Sequence, residues 1–387
     1  MGVDDAQPPA LPPSSLSHPP SSTRPVPTRI VEFFSGIGGF HAALSRVFPD
    51  ATVVAAYDTN RVANAVYAHN YGQTPSPSVI DRLSLAELER HRADCFTLSP
   101  PCQPFTDGGK RLDHADPRSA ALLHLIALLP RMACPPATLV LENVPNFETS
   151  VCRDRLLACL TRLQYTYKEF LFSPLALGIP NHRRRYYLLA QRTTADVAKT
   201  AMDSALVPTL AEHLGGVTPP DAARHPQWRV PEDVLRKRVT FRFDAVTLAS
   251  RTSSTFTKAY GSRHVFGSGS CLQTQFPRRE DPDDEDGNAA PPPTIPATVE
   301  VDWDDAEAVI ALGLRFFTPR EVARLQGFPV ADAAAATETG PVDRADRGRR
   351  RRFAFPPETT CKQQWRLLGN SLSIDAVAFV LSHIPLP

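Results

Sequence analysis

The chain has 387 residues, 42% of them hydrophobic, enough to fill one large domain with an appendage, or two domains. Its 42 Lys and Arg balance 41 Asp and Glu, so overall charge decides nothing about nucleic acid and local clusters must do so. Seven cysteines without a CxxC pair or Cys/His metal spacing argue against a disulfide scaffold and against bound metal; no run reaches the ~20 apolar residues of a membrane span. A soluble protein of a reducing compartment is expected.

Met1 to Thr28 holds eight prolines and neither a basic leader nor an apolar core, so residues 1–28 read as a disordered tail. Arg29 to Phe34 reads as a strand, broken by Ser35-Gly36-Ile37-Gly38-Gly39, after which Phe40, Leu44 and Val47 recur at helical spacing. Glycines let a backbone approach a ligand, and the helix start offers free N–H groups. A second strand, Thr52 to Tyr57, ends in Asp58, where an acid commonly holds ribose hydroxyls, though a solvated strand-end Asp is an equal alternative. A third short strand is expected at Ser78 to Ile80, ending at Asp81.

Cys95 to Leu98 reads as a buried parallel strand, followed by Ser99-Pro100-Pro101-Cys102-Gln103-Pro104-Phe105. Three prolines restrict that loop and present Cys102 beyond a strand's carboxyl end, where open α/β sheets bind ligands. Taken alone, Cys102 reads more readily as an inert core thiol on a turn than as a working one. Ser119 to Leu129 reads as a helix and Thr138 to Val144 as a buried strand carrying Glu142 and Asn143. An acid there is either a satisfied structural group or a working one. A helix over Cys152 to Leu163 and strands over Thr166 to Phe172 and Arg185 to Gln191 complete a βαβα alternation, hence a parallel, helix-flanked sheet. Between the last two strands lies the basic turn Asn181 to Arg185.

Residues 193–315 read as a smaller irregular domain with short strands at Val239 to Phe243 and His264 to Phe266 and a solvated acidic loop over 278–296. Phe316 to Pro329 contains a helix with proline at its start and glycine at its end. Residues 331–352, Ala-rich then Arg-rich, read as a disordered insertion. The last segment, Gln364 to Ile384, turns at Gly369-Asn370-Ser371 into an amphipathic helix.

FFSGIGGF, SPPCQPF, ENV, the Arg183-x-Arg185 pair, ARLQGFP and LLGNS occur in one order. That order resembles the cytosine carbon-5 methyltransferase family over 29–192 and 316–384. The resemblance implies an α/β, class I S-adenosylmethionine-dependent methyltransferase fold, Rossmann-like with a mostly parallel sheet. Residues 29–192 and 316–387 would form the catalytic domain and 193–315 a small target-recognition domain. The PPCQPFT loop and the stretch from Phe256 to Ser262, running on to Gly267-Ser268-Gly269-Ser270, are similar to the type-2 branch, which modifies an anticodon-loop cytosine of aspartate tRNA. Two departures stand out: Thr255 replaces the branch's cysteine, and Arg263-His264 a tyrosine.

By that resemblance Cys102 is the nucleophile, Glu142 a protonated carboxyl at the pyrimidine ring nitrogen, and Arg183 and Arg185 the nearby positive charge. Phe34, Ser35, Ile37, Gly38 and Gly39 would surround S-adenosylmethionine, Asp58 its ribose, Ile80 and Asp81 its adenine, with Ser99, Asn370 and Ser371 closing the site. A monomer acting on tRNA is expected, in the cytoplasm, with the Arg349 to Arg352 run compatible with nuclear entry. A DNA methyltransferase on the same core, a binding protein without turnover, and an oxidoreductase, disfavoured by the glycine spacing, are the alternatives.

Overall fold

A computed structural model describes residues 26–106, 112–192, 206–218, 222–223, 225–237, 241–262, 267–276, 295–332 and 352–384. The first part of the chain forms β1 (Arg29–Phe33), α1 (Gly39–Val47), β2 (Thr52–Tyr57), α2 (Arg61–Tyr71), α3 (Leu85–Arg90), β3 (Cys95–Leu98), α4 (Ala120–Leu128), β4 (Thr138–Asn143), α5 (Val151–Arg162), β5 (Thr166–Phe172) and β6 (Arg185–Gln191). The six strands make one sheet in the order β2-β1-β3-β4-β6-β5. β1 pairs in parallel with β2 and β3, and β3 with β4; β6 runs antiparallel to both neighbours. The sheet is thus mostly rather than wholly parallel, because the short connection from β5 through the 181–185 turn has no crossover helix and must reverse direction.

β3 and β4 are buried at every residue, as unbroken apolar runs require when helices cover both faces. α1 and α2 pack on one face, α4 and α5 on the other. The chain leaves β1 for β2 on one side and returns to β3 on the other, so the sheet order reverses between β1 and β3. A crevice at the carboxyl ends of those strands follows.

Three expectations need correction. Residues 78–80 are not a strand; Ile80–Arg82 is a 3-10 turn, and only Ser76 bridges Tyr57. Pro75 and Pro77 remove the N–H groups a ladder would need. Residues 26–28 are ordered against the domain, since Val26 packs on the core and the Thr28 N–H donates to Asp94 Oδ1 at 3.0 Å. Residues 1–25 lie outside the described residues, as do the 264–266 strand and almost all of the 278–296 and 331–352 segments. The described part of the 239–243 strand, 241–243, is irregular.

The later chain adds α6 (Leu210–Leu214), α7 (Glu232–Arg236), β7 (Ala245–Val246), β8 (Cys271–Leu272), α8 (Ala306–Ala311), β9 (Arg315–Phe316), α9 (Pro319–Leu325), α10 (Cys361–Gly369) and α11 (Ile374–Leu381). β7, β8 and β9 form a second small sheet. β9 straddles the expected boundary at 315/316, and the buried apolar side chains of 210–272 join those of α9 to α11 in one cluster. The segment before the Gly369 turn is also helical, forming α10, whose start is a capping box of Thr360 with Gln363. α11 lies against α1, where Arg46 pairs with Asp375 at 2.5 Å.

Candidate active site

The crevice between β1 and β3 holds a cavity of about 430 Å³, large enough for a nucleoside-sized ligand beside a base. One wall is the glycine loop. Phe34 takes a left-handed φ of 57°, turning the chain sharply out of β1, and the Ser35 N–H donates to the Tyr57 carbonyl at 3.0 Å. Gly36 lines the cavity, and a Cβ there would meet no protein atom within 4 Å. Ser35 is 5% exposed, and its Oγ has no protein partner.

Of the fifteen residues expected at the site, fourteen line this cavity: Phe34, Ser35, Ile37, Gly39, Asp58, Ile80, Asp81, Ser99, Cys102, Glu142, Arg183, Arg185, Asn370 and Ser371. Gly38 does not. It stands behind the loop at φ 85°, where a Cβ would lie 2.2 Å from the Tyr71 ring, and its carbonyl accepts from the Tyr71 hydroxyl at 2.9 Å. Asp58 links two elements: one carboxylate oxygen accepts from Gly36 N–H and the other from Asn60 N–H, both at 2.8 Å. Asn60 in turn caps α2.

The facing wall is the cysteine loop. Ser99 Oγ donates to the Phe34 carbonyl at 2.9 Å, tying the two loops together. The Asn143 side-chain amide donates to the Pro100 carbonyl at 3.2 Å, so β4 supports the turn that carries Cys102. Cys102 is partly exposed, and all seven cysteines are free. Glu142 is 8% exposed; burial raises its pKa, against the Arg185 and Arg183 charges that lower it. Arg185 Nε lies 3.5 Å from Glu142 Oε1.

Arg183 is held differently. One guanidinium nitrogen donates to the Phe256 carbonyl at 3.2 Å and the other to the Ser371 carbonyl, while burial, helped by the Arg185 charge, pushes its pKa down to about 9. It therefore joins the 181–185 turn to the 253–257 segment and to the Gly369 turn. The same segment binds that turn elsewhere: the Asn181 amide donates to Ser253 Oγ (3.1 Å) and the Ser254 carbonyl (2.9 Å), and the Thr255 hydroxyl to the His182 carbonyl (2.8 Å). Thr255 thus supplies a hydrogen-bond donor where the branch's pattern has a thiol. Gly369 packs so closely that a Cβ would stand 2.2 Å from the Thr257 carbonyl carbon.

Sequence reasoning missed Glu32. Its acid within the apolar strand RIVEFF was the available signal. Wholly buried behind the glycine loop, it accepts from Tyr67 OH at 3.0 Å, and Tyr67 OH meets His41 Nδ1 at 2.7 Å. Burial pushes Glu32 up to about 8, against the Tyr67 hydrogen bond. A raised carboxyl pKa means the folded state holds a proton that the unfolded chain releases near 4.5, so stability falls as pH rises from about 4.5 to about 8. Urea titrations across that range should show this fall, and Glu32→Gln should flatten it; an equal slope in the variant would refute the assignment.

Strand order, the single antiparallel strand β6 and a cavity where the order reverses make this a class I methyltransferase fold. The profile described as C-5 cytosine-specific DNA methylase matches residues 28–385, and the chain belongs to that family. It is 33% identical to the mouse tRNA (cytosine(38)-C(5))-methyltransferase over 92% of this chain and 93% of that protein. A Dictyostelium discoideum DNA (cytosine-5)-methyltransferase is 28% identical over 93% of this chain and 94% of its own length. Among solved structures, the S. pombe Dnmt2 methyltransferase superposes with a TM-score of 0.69 at 28% identity, covering 92% of this chain and 97% of that one.

Proposed function

We propose that the protein transfers a methyl group from S-adenosylmethionine to carbon 5 of cytosine 38 in the anticodon loop of tRNA-Asp, through a transient bond to Cys102. The observation that carries the choice of RNA is the 33% identity, over nearly the whole chain, to a relative named for that position.

The glycine-loop side of the cavity fits the cofactor: the partnerless Ser35 Oγ and the open space at Gly36 suit its polar end, and Asp58, Asp81 and Ile80 suit ribose and adenine. Ile37, Gly39, Asn370 and Ser371 complete that wall, with Gly38 shaping it from behind. When bound, it supplies an electrophilic methyl group.

Cys102 adds as thiolate to carbon 6 of the base, making carbon 5 nucleophilic. Glu142, whose pKa burial raises against the pull of Arg185 and Arg183, donates to the ring nitrogen that gains basicity as electrons enter. Arg185 orients Glu142, and Arg183 holds the turn that carries Arg185. Loss of the carbon-5 proton and expulsion of Cys102 then restore the ring. A loop base reaches the thiol at less unstacking cost than a duplex base.

Removing the acid tests its role. Glu142→Ala should lose ~10²–10⁴ in kcat. Glu142→Gln, which keeps a neutral donor, should lose less, and the alkaline decline in rate expected of the wild type as Glu142 ionises should be absent from it. An unchanged alkaline limb in Glu142→Gln would exclude Glu142 as the acid. The substrate is tested by offering labelled S-adenosylmethionine with tRNA-Asp transcript and with duplex DNA in parallel. Label on tRNA alone is expected; label on DNA alone would overturn the RNA assignment.

A further inference from the structure

We propose that Arg118 is a phosphate-binding residue at the mouth of the cavity, gripping a backbone phosphodiester of the strand whose cytosine reaches Cys102. This rests on the nucleic-acid reading above and adds a site to it. Three arginines line the cavity among the described residues: Arg118, Arg183 and Arg185. Arg183 gives both terminal nitrogens to backbone carbonyls, and Arg185 is engaged by Glu142 and by the Arg184 carbonyl, 2.7 Å from its Nη1. Among the described residues, Arg118 is held on one edge only. Its Nε donates to Asp116 Oδ1 at 2.8 Å and its Nη2 to Oδ2 at 2.7 Å, while the Arg118 backbone N–H also donates to Oδ1 at 3.0 Å.

The Asp116 side chain is 4% exposed and that of Arg118 49%, so the carboxylate lies beneath and the guanidinium faces outward. A fork fixed in this way loses little freedom when its open Nη1 edge meets a second oxyanion. The chemistry selects phosphate. A cytosine entering to the thiol is neutral, and its flanking phosphodiesters stay at the rim, where a cation beside the Cys102 wall must lie against them. Arg118 and Cys102 line the same cavity, so the competing role is that of a counter-ion to the thiolate.

Binding of the full chain to tRNA-Asp transcript, measured against salt, separates the two roles. Each phosphate neutralised on single-stranded nucleic acid contributes about 0.7 to the slope of log affinity on log salt. Arg118→Gln is expected to lower that slope by about 0.7 and raise the KM for RNA, with the pH profile of kcat and the affinity for S-adenosylmethionine unchanged. Arg118→Lys and Asp116→Asn, which keep the cation and lose the fork, should bind more weakly with the slope retained. An unchanged slope in Arg118→Gln overturns the proposal. A displaced pH profile of kcat in its place assigns Arg118 to the thiolate, and weaker cofactor binding assigns it to the cofactor. If wild type binds and methylates duplex DNA instead of tRNA, the RNA reading falls, and a slope change of about 0.9 on DNA still tests Arg118.

Discussion

Cys102→Ala is expected to lower kcat by ~10⁴-fold or more, the scale on which loss of a covalent nucleophile is felt. The fold should survive, because Cys102 is partly exposed and its side chain makes no hydrogen bond among the described residues. The loop is held instead by Phe105 N–H to the Cys102 carbonyl at 2.9 Å, and by Asn143 on the Pro100 carbonyl. S-Adenosylmethionine should therefore still raise the melting temperature of the variant by mass action. RNA carrying 5-fluorocytosine gives a second readout: fluorine at carbon 5 cannot leave as a proton does, so wild type should stay bonded to it and the variant should not. Methyl transfer by Cys102→Ala within tenfold of wild type would defeat the thiol mechanism.

Glu321→Ala is expected to cost about 3–5 kcal/mol of stability, a fall in Tm of roughly 10 °C by thermal unfolding. Glu321 is fully buried and Arg315 2% exposed. The carboxylate takes both guanidinium nitrogens at 2.8 Å, the Thr318 N–H at 2.7 Å and the Thr218 hydroxyl at 2.7 Å. Burial alone would raise its pKa; the Arg315 hydrogen bonds and charge outweigh that and hold it below the usual carboxylate value. Its stabilisation is thus present above the unfolded carboxylate pKa and lost as pH falls through the lowered one. Alanine leaves Arg315 buried without its counter-charge, which is where most of the cost arises. Replacing both partners, Arg315→Met with Glu321→Leu, should recover most of the loss. A single variant as stable as wild type would show that the pair carries no such load.

The glycine loop, β3, β4 and the Cys102 loop were legible because local signals agree there: unbroken apolar runs ended by glycine or proline. β6 carried no mark of its direction, since a buried strand reads the same either way. The partners of Arg183 lie 73 and 188 residues away, beyond any local pattern. The family resemblance puts Gly38 among the cofactor residues; the position of Tyr71, from α2, shows that its missing side chain makes room for a ring. An acid inside a strand carries no local sign of burial, and the partners that mark Glu32, Tyr67 and through it His41, come from other elements.

The packing of α11 on α1 bears on how the protein is made. Arg46 and Asp375, which face each other, are 329 residues apart in the chain. At ~5–20 residues per second, a ribosome that has delivered α1 needs roughly 15–65 s more to deliver its cover. Over that interval the apolar face of α1 is open to chaperones and to other nascent chains. The stretch of cavity wall supplied by Asn370 and Ser371 is missing too, so the cavity stays open until nearly the whole chain has been translated.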